Sequence, residues 1–260
     1  MGAIFVASVG AARTAGAPPQ LALGDDESLV YRVSWALLPS VGEIRVSAKA
    51  ATGAGGDRLM RIVTTTRTRG LAYLLLPFEA RAESVFDVDS GRLVRLAESS
   101  ARRGKSNAHT VLFNYARNTA DYATEGQPAG ARLLAMPPGY PTDLITSLLE
   151  ARVWDMKPGG THEALVLFED EFYELTIHAL RYEWVGTPLG TYNTLVLEPR
   201  MERTPPKGMF KRGSTVRVWI SQGQQRLPVR FQVEFKIGSG TATLVEYRPP
   251  AAPGPAAARP

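Results

Sequence analysis

The chain has 260 residues, a formal net charge of +5 and no cysteine, with 44% hydrophobic and 21% charged side chains. This composition excludes global disorder, and the missing thiols exclude disulfides, cysteine nucleophiles and cysteine–metal sites. The basic balance suits an anionic partner, but the arginines are spread along polar strand faces. The one tight basic run is Arg102-Arg103-Gly104-Lys105, so no nucleic-acid partner is expected.

Residues 1–25 form a segment of their own. Ile4 to Ala12 is a short apolar run rich in small residues, followed by Ala15-Gly16-Ala17. It reads as the end of a secretory signal with an Ala-x-Ala-like exit, though without a basic n-region. This predicts export to the bacterial periplasm or envelope. No later apolar stretch approaches the roughly 20 residues a spanning helix needs, so no transmembrane span is expected.

From residue 26 the dominant period is two. Leu29-Tyr31-Val33-Trp35-Leu37 alternates with Arg32 and Ser34, Pro39 to Gly42 breaks the run, and Ile44-Val46-Ala48 continues it, giving a first hairpin. A Gly-rich turn at Thr52 to Asp57 leads to a third strand over 59–68. Leu71 to Phe78 reads as a short helix or a buried crossing. Strands follow at about 82–88, 92–99 and 108–116, and Gly126 to Pro141 reads as a loop. Thr142 or Asp143 then caps a helix from Leu144 to about Trp154, whose inward stripe is Leu144, Ile145, Leu148 and Leu149. Further strands are expected at about 163–169, 172–185, 191–200, 214–221, 227–237 and 240–247. About a dozen antiparallel strands predict one mainly β domain over 26–248. It would be a large curved sheet or an open or closed barrel with the helix packed against it. Two domains meeting near 126–141 is the rival arrangement. Residues 249–260 form a Pro/Ala-rich tail expected to be disordered.

The most regular stretch is Val216 to Gly238. From Leu227 to Ile237 the odd positions are apolar, which implies one buried face and one wet face. Val216, Val218 and Ile220 match it, leaving Arg217 and Trp219 on the other side with Arg230. A tryptophan between arginines can stack a sugar ring or hold an anion. More often it is a ring covering the sheet, with guanidinium stems packed beside it.

Trp219-Ile220-Ser221, then Leu227-Pro228-Val229-Arg230, Gly238, Gly240 and a Thr-Ala-Thr-Leu strand resemble the closing signature of a bacterial family of exported proteins. That family is known only as a domain of unknown function, number thirty-one zero eight. Tyr31-x-Val33-x-Trp35 with Gly42-Glu43, Thr187-Pro188-x-Gly190-x-Tyr192, and Gly208-x-Phe210-x-x-Gly213 agree with it. The resemblance spans roughly residues 28–247 and implies an exported, largely β protein. It supplies no catalytic residue. Gln222-Gly223-Gln224-Gln225 stands where the family pattern has an acidic turn.

Three histidines, His109, His162 and His178, have no metal-ligand spacing, so no metal or cofactor is expected. No Gly-x-Ser-x-Gly elbow is present, and Glu169-Asp170-Glu171 belongs at a hairpin tip. The mixed stripe Glu174, Thr176, His178, Leu180, Tyr182 and Trp184 is neither plain core nor plain solvent face and suits a ligand-lining surface. Glu174, His178, Tyr182, Trp184, Trp219 and Arg230 are therefore the candidate ligand-binding residues. The competing explanation of the stripe is a strand buried on both sides. The function expected is a non-enzymatic envelope protein that binds a lipid or glycan or docks to an envelope protein assembly. The alternative is a carbohydrate-active enzyme using Glu174, His178 and Tyr182.

Overall fold

A computed structural model describes residues 20–251 apart from 127–130, 204, 207–209, 211–213 and 237. The signal-like run, Ile237 and nearly all of the C-terminal tail lie outside the described residues. The chain builds two antiparallel meanders from its period-two segments. The first comprises β1 (Ser28–Trp35), β2 (Leu38–Thr52), β3 (Arg58–Thr68), β4 (Phe78–Asp87), β5 (Leu93–Arg102), β6 (Lys105–Asn114), β7 (Thr119–Thr124) and β8 (Arg132–Ala135), with a short helix α1 (Gly70–Leu75) between β3 and β4. The connection to the second holds β9 (Pro141–Asp143) and α2 (Leu144–Glu150). The second meander comprises β10 (Thr161–Phe168), β11 (Glu171–Thr187), β12 (Gly190–Arg200), β13 (Thr215–Ser221), β14 (Pro228–Phe235) and β15 (Gly238–Arg248).

Pairing of β15 with β1 joins the meanders into one 15-stranded sheet that starts at β8, runs through β1 and β15, and ends at β9. Every neighbour pair is antiparallel except β9 with β10. The meanders join at β1 and β15, and the chain passes from one edge strand, β8, to the other, β9, between residues 135 and 141. The segment 126–141, expected as plain loop, carries β8 and the start of β9.

The sheet is curved but not closed by backbone hydrogen bonds. Side chains tie its β9–β10 end to the first meander, with β9 lying near β4 and β5. Arg132 on β8 lies 2.6 Å from Asp170 in the β10–β11 turn. Ser84 on β4 donates to Asp143, at the end of β9, over 2.6 Å. The connection bearing α2 crosses this seam from one edge to the other.

Asp143, not Thr142, caps α2, its side chain accepting from the Thr146 N–H at 2.9 Å. The helix stops at Glu150, where the Arg152 and Val153 amides turn back three residues to Leu149 and Glu150 and tighten the last turn. Just beyond it, Arg152 is 2.8 Å from Glu27 and donates to the carbonyls of Ala22 and Gln225. This ties the helix to the N-terminal segment and the β13–β14 turn. Ala22 and Leu23 are buried, so packing reaches back into the segment assigned to 1–25, and Ala251 bonds to Asp25 at the other terminus.

Two apolar clusters hold the fold. One runs through both meanders, from Leu29, Val46, Ile62, Phe86 and Leu96 to Val196, Trp219 and Leu244, and takes in Leu149 of α2. The other covers the opposite face of β10–β13, with Leu175, Ile177, Leu195, Leu197 and Ile220 packed against Leu148, Met156 and Phe210. The middle of β10–β13 thus packs apolar side chains on both faces.

Bulges redirect the alternation. Val229 is an extra residue between the Trp219–Arg230 and Ile220–Pro228 pairs. Leu180 is extra between Ala179–Leu197 and Arg181–Val196. A bulge turns the following residues relative to the sheet. Hence Leu227 and Val229 are buried, whereas Phe231 and Val233 are half-buried and Phe235 is exposed. The expectation of one uniformly buried odd face from Leu227 to Ile237 therefore fails at Arg230.

Candidate functional site

The six residues singled out from sequence fall into three groups. Glu174 lies 3.3 Å from Arg203, and His178 Nε2 lies 2.9 Å from Glu202, so both sit in a surface ion-pair lattice at the end of β12. Past the Leu180 bulge, Tyr182 and Trp184 face away from that lattice and stand 48% and 71% exposed. Trp219 is buried, with the Arg230 guanidinium 5.7 Å from its ring centre. Arg230 also donates to the Gly186 carbonyl at 3.3 Å. The bulge is what divides the stripe: Glu174 and His178 share one side, Tyr182 and Trp184 the other.

The seam holds a cluster that the sequence did not single out. Burial raises the Asp143 carboxyl above its usual range, against hydrogen bonds from Ser84 and Thr146 that pull it down. Glu150, two helical turns on, is pushed up to about 8 by burial and by the charge of Asp143. Glu98 also presses electrostatically on Asp143 and lies 3.1 Å from His109 Nε2. His109 stacks on Tyr122 at 4.9 Å, and Arg132 lies over the other ring neighbour at 5.2 Å from the Tyr122 centre. A polar chain thus runs from the start of α2 to the β8 edge. Its members lie far apart in sequence, 59 residues between Ser84 and Asp143, so no local motif announces it. The one local sign is the polar row Thr146, Ser147 and Glu150 in an otherwise apolar helix.

The solvent face of the first meander carries an open trough of about 810 Å³, lined by residues that include Glu43, Arg45, Arg67 and Arg81. Glu79 and Glu125 line it too, and two carboxylates of this face, Glu43 in the trough and Glu83 on β4, are hubs. Arg67 and Arg69 approach Glu43 to 2.9 Å and Arg45 to 3.4 Å. Arg81, Arg95 and Arg61 approach Glu83 at 3.0, 3.2 and 3.7 Å. Burial raises the Glu43 carboxyl, but the Arg67 hydrogen bond and the charges of Arg69, Arg67 and Arg45 outweigh it and hold it below its usual value. Three bases to one acid leave each hub positive, although along the trough Glu43, Glu79 and Glu125 balance Arg45, Arg67 and Arg81.

His162, the remaining histidine, stacks on Trp154 at 4.0 Å, and burial lowers its pKa. Among the described residues, no three histidine or carboxylate side chains are grouped to hold a metal ion. No helix of the described residues is long and apolar enough to cross a membrane.

A single wrapped antiparallel sheet, open at a side-chain seam and plugged by one short helix, defines a barrel-like β protein. The sequence agrees with that class: it matches the profile described as Protein of unknown function (DUF3108) over residues 30–245, and the chain belongs to this family. Its fold is similar to the crystal structure of a β-barrel-like protein of domain of unknown function DUF1849 from Brucella abortus, at 8% identity and a TM-score of 0.55. That likeness covers 88% of this chain and 98% of the other. A candidate exported protein with a YmcC-like fold from Bacteroides fragilis is more distant, at 12% identity, 89% and 99% coverage and a TM-score of 0.34. So is a candidate lipoprotein from Parabacteroides distasonis, at 8% identity, 88% and 99% coverage and a TM-score of 0.33. No curated protein matches the chain.

Proposed function

We propose that this chain is an exported, periplasmic or envelope-associated protein with no catalytic duty, which binds an apolar or amphiphilic envelope component, a lipid or glycan. The observation that carries the reading is the seam. One apolar cluster lines the sheet through both meanders, while its β9–β10 end is held to the first meander by Arg132–Asp170 and Ser84–Asp143 instead of a backbone ladder. Parting such an edge breaks two polar contacts and leaves every strand pair intact, so an amphiphile gains access without unfolding. The signal-like start of the sequence supports export. Native mass spectrometry of protein purified from membrane-containing lysate tests this, with a bound amphiphile expected. Because the chain has no cysteine, Arg132→Cys with Asp170→Cys, joined by a bismaleimide, locks the seam and is expected to stop ligand exchange. A ligand-free species, or exchange unchanged by the lock, counts against the proposal.

A second reading, a carbohydrate-active enzyme, is favoured by the Glu150 carboxyl. At about 8 it stays protonated near neutral pH, as the acid of a glycosidase must. A turnover screen on envelope and plant polysaccharides, with Glu150→Gln beside Glu174→Gln and His178→Ala, decides it. Turnover lost in Glu150→Gln alone supports the seam as an active site; no turnover in wild type removes the reading.

A further inference from the structure

One end of the sheet differs from the rest of the surface. The β1–β2, β3–β4, β5–β6 and β14–β15 connections all emerge there, because strand direction alternates through these neighbours. Of the twelve large hydrophobic residues exposed among the described residues, six lie on these tips: Leu37, Leu38, Tyr73, Leu74, Leu75 and Phe235. Leu37 is 96% exposed, and Leu74 and Leu75 are 76% and 77% exposed. The tips touch in a row. Trp35 stacks against Phe235 at 5.8 Å, the Arg69 amide bonds to Val41, and Arg103 reaches the Leu75 carbonyl at 3.5 Å. Monomeric proteins rarely display so much contiguous apolar surface without a partner.

These four tips form one arc of that end, and its charge is one-sided; Glu125, Glu169 and Asp170 belong to the β7–β8 and β10–β11 connections farther round. Residues 36–37, 69–77, 103–104 and 236–237 contain no aspartate or glutamate. Arg102, Arg103, Lys105 and Lys236 are exposed beside the leucines, and none of the four forms an ion pair among the described residues. The β5–β6 turn holds its bases rigidly outward. Arg103 at φ 48° and Gly104 at φ 76° form the two-residue turn whose twist matches the flanking strands.

We propose that this rim docks on an anionic lipid bilayer, with Leu37, Leu74 and Leu75 entering the acyl boundary while Arg102, Arg103, Lys105 and Lys236 meet the headgroup phosphates. Apolar tips ringed by bases are the pattern of interfacial membrane binding, where burial and charge attraction add. The docking rests on the envelope placement proposed above and deepens it by naming the partner surface.

Vesicle flotation of the full chain tests it, comparing vesicles of equal parts phosphatidylglycerol and phosphatidylcholine with vesicles of phosphatidylcholine alone. Wild type is expected to float with the anionic vesicles at low salt and to be released at high salt. Leu74→Asp/Leu75→Asp is expected to abolish flotation. Arg102→Gln/Arg103→Gln is expected to lower partition about twenty-fivefold, about fivefold per charge. Leu189→Asp, in the β11–β12 turn at the other end, is expected to float as wild type, and circular dichroism confirms that each variant is folded. Equal binding to both vesicles, no binding to either, or flotation retained by Leu74→Asp/Leu75→Asp overturns the docking. The two proposals fail separately. A ligand-bearing protein that ignores vesicles removes only the docking, and a ligand-free protein that floats removes only the ligand.

Discussion

Glu150→Gln gives the sharpest measure of the seam's energetics. The Glu150 carboxyl is raised from an ordinary value of 4.5 to about 8 by burial and by Asp143. Between those limits the unfolded chain loses a proton that the folded chain keeps, so the folded state binds more protons and stability falls as pH rises. Each pH unit in that window is worth about 1.4 kcal/mol. At pH 7 the accumulated cost is therefore roughly 3 kcal/mol. Glutamine keeps the shape and removes the titration. Urea denaturation at pH 5, 6, 7 and 8 is expected to show wild type losing stability across the series. The variant should lie nearly flat and be the more stable protein above pH 6. A variant less stable than wild type at pH 7, or one with an unchanged slope, would refute the buried-acid reasoning.

Glu27→Gln leaves Arg152 charged in a site where both side chains are almost fully enclosed, 9% and 2% exposed. It should cost about 3–5 kcal/mol by denaturant melt, as expected for an uncompensated buried charge. Asp143→Ala removes the α2 cap and the Ser84 contact together; a loss of about 1–2 kcal/mol from the cap alone is the floor, again read from the urea midpoint. Gly238→Ala should lower the thermal midpoint by several degrees. Gly238 sits at φ 142°, and a methyl there would lie 3.5 Å from the Trp35 indole nitrogen, a conformation that L residues rarely adopt. His178→Ala removes only an exposed ion pair with Glu202, so its stability should stay within about 0.5 kcal/mol of wild type.

Much of the sheet was legible because each strand carries its own signal. The alternation from Leu29, the turn Arg103-Gly104, the hairpin tip at Glu169-Asp170 and a cap at Thr142 or Asp143 are all local, and the structure has each where the pattern puts it, except that the first run stops at Trp35 and Leu37 turns outward between β1 and β2. What escaped is set by partners distant in sequence. Strands β8 and β9 have four and three residues, too short for a two-residue period to stand out. The bulges at Leu180 and Val229 exist because a wrapped sheet must bend, and neither position differs in composition from its neighbours. Each bulge changed the meaning of a stripe, parting Tyr182 and Trp184 from His178, and Phe231 from the buried run that begins at Leu227. The arginine hub at Glu83 assembles from three strands, and that at Glu43 from two strands and Arg69 at the start of α1, so the scattered arginines of the sequence gather only after folding.

The seam is best explained by the cost of the two obvious alternatives. A sheet closed by a full backbone ladder would have no edges, but it could not admit a ligand without tearing several hydrogen bonds at once. A sheet left wide open would expose two long edges that invite pairing with other chains. Here the edge strands are cut to three and four residues, the α2 connection crosses between them, and charged or protonated side chains bridge the remainder. Short edges limit aggregation, while the bridging contacts are few, and ionisation of Glu150 places a second buried negative charge near Asp143. Opening of the seam should therefore become easier toward alkaline pH, in the same window over which Glu150 titrates. Hydrogen exchange of the β8 and β9 amides at pH 6 and pH 8, corrected for the intrinsic rate, measures that directly. Protection in β8 and β9 independent of pH would mean the seam is a fixed wall.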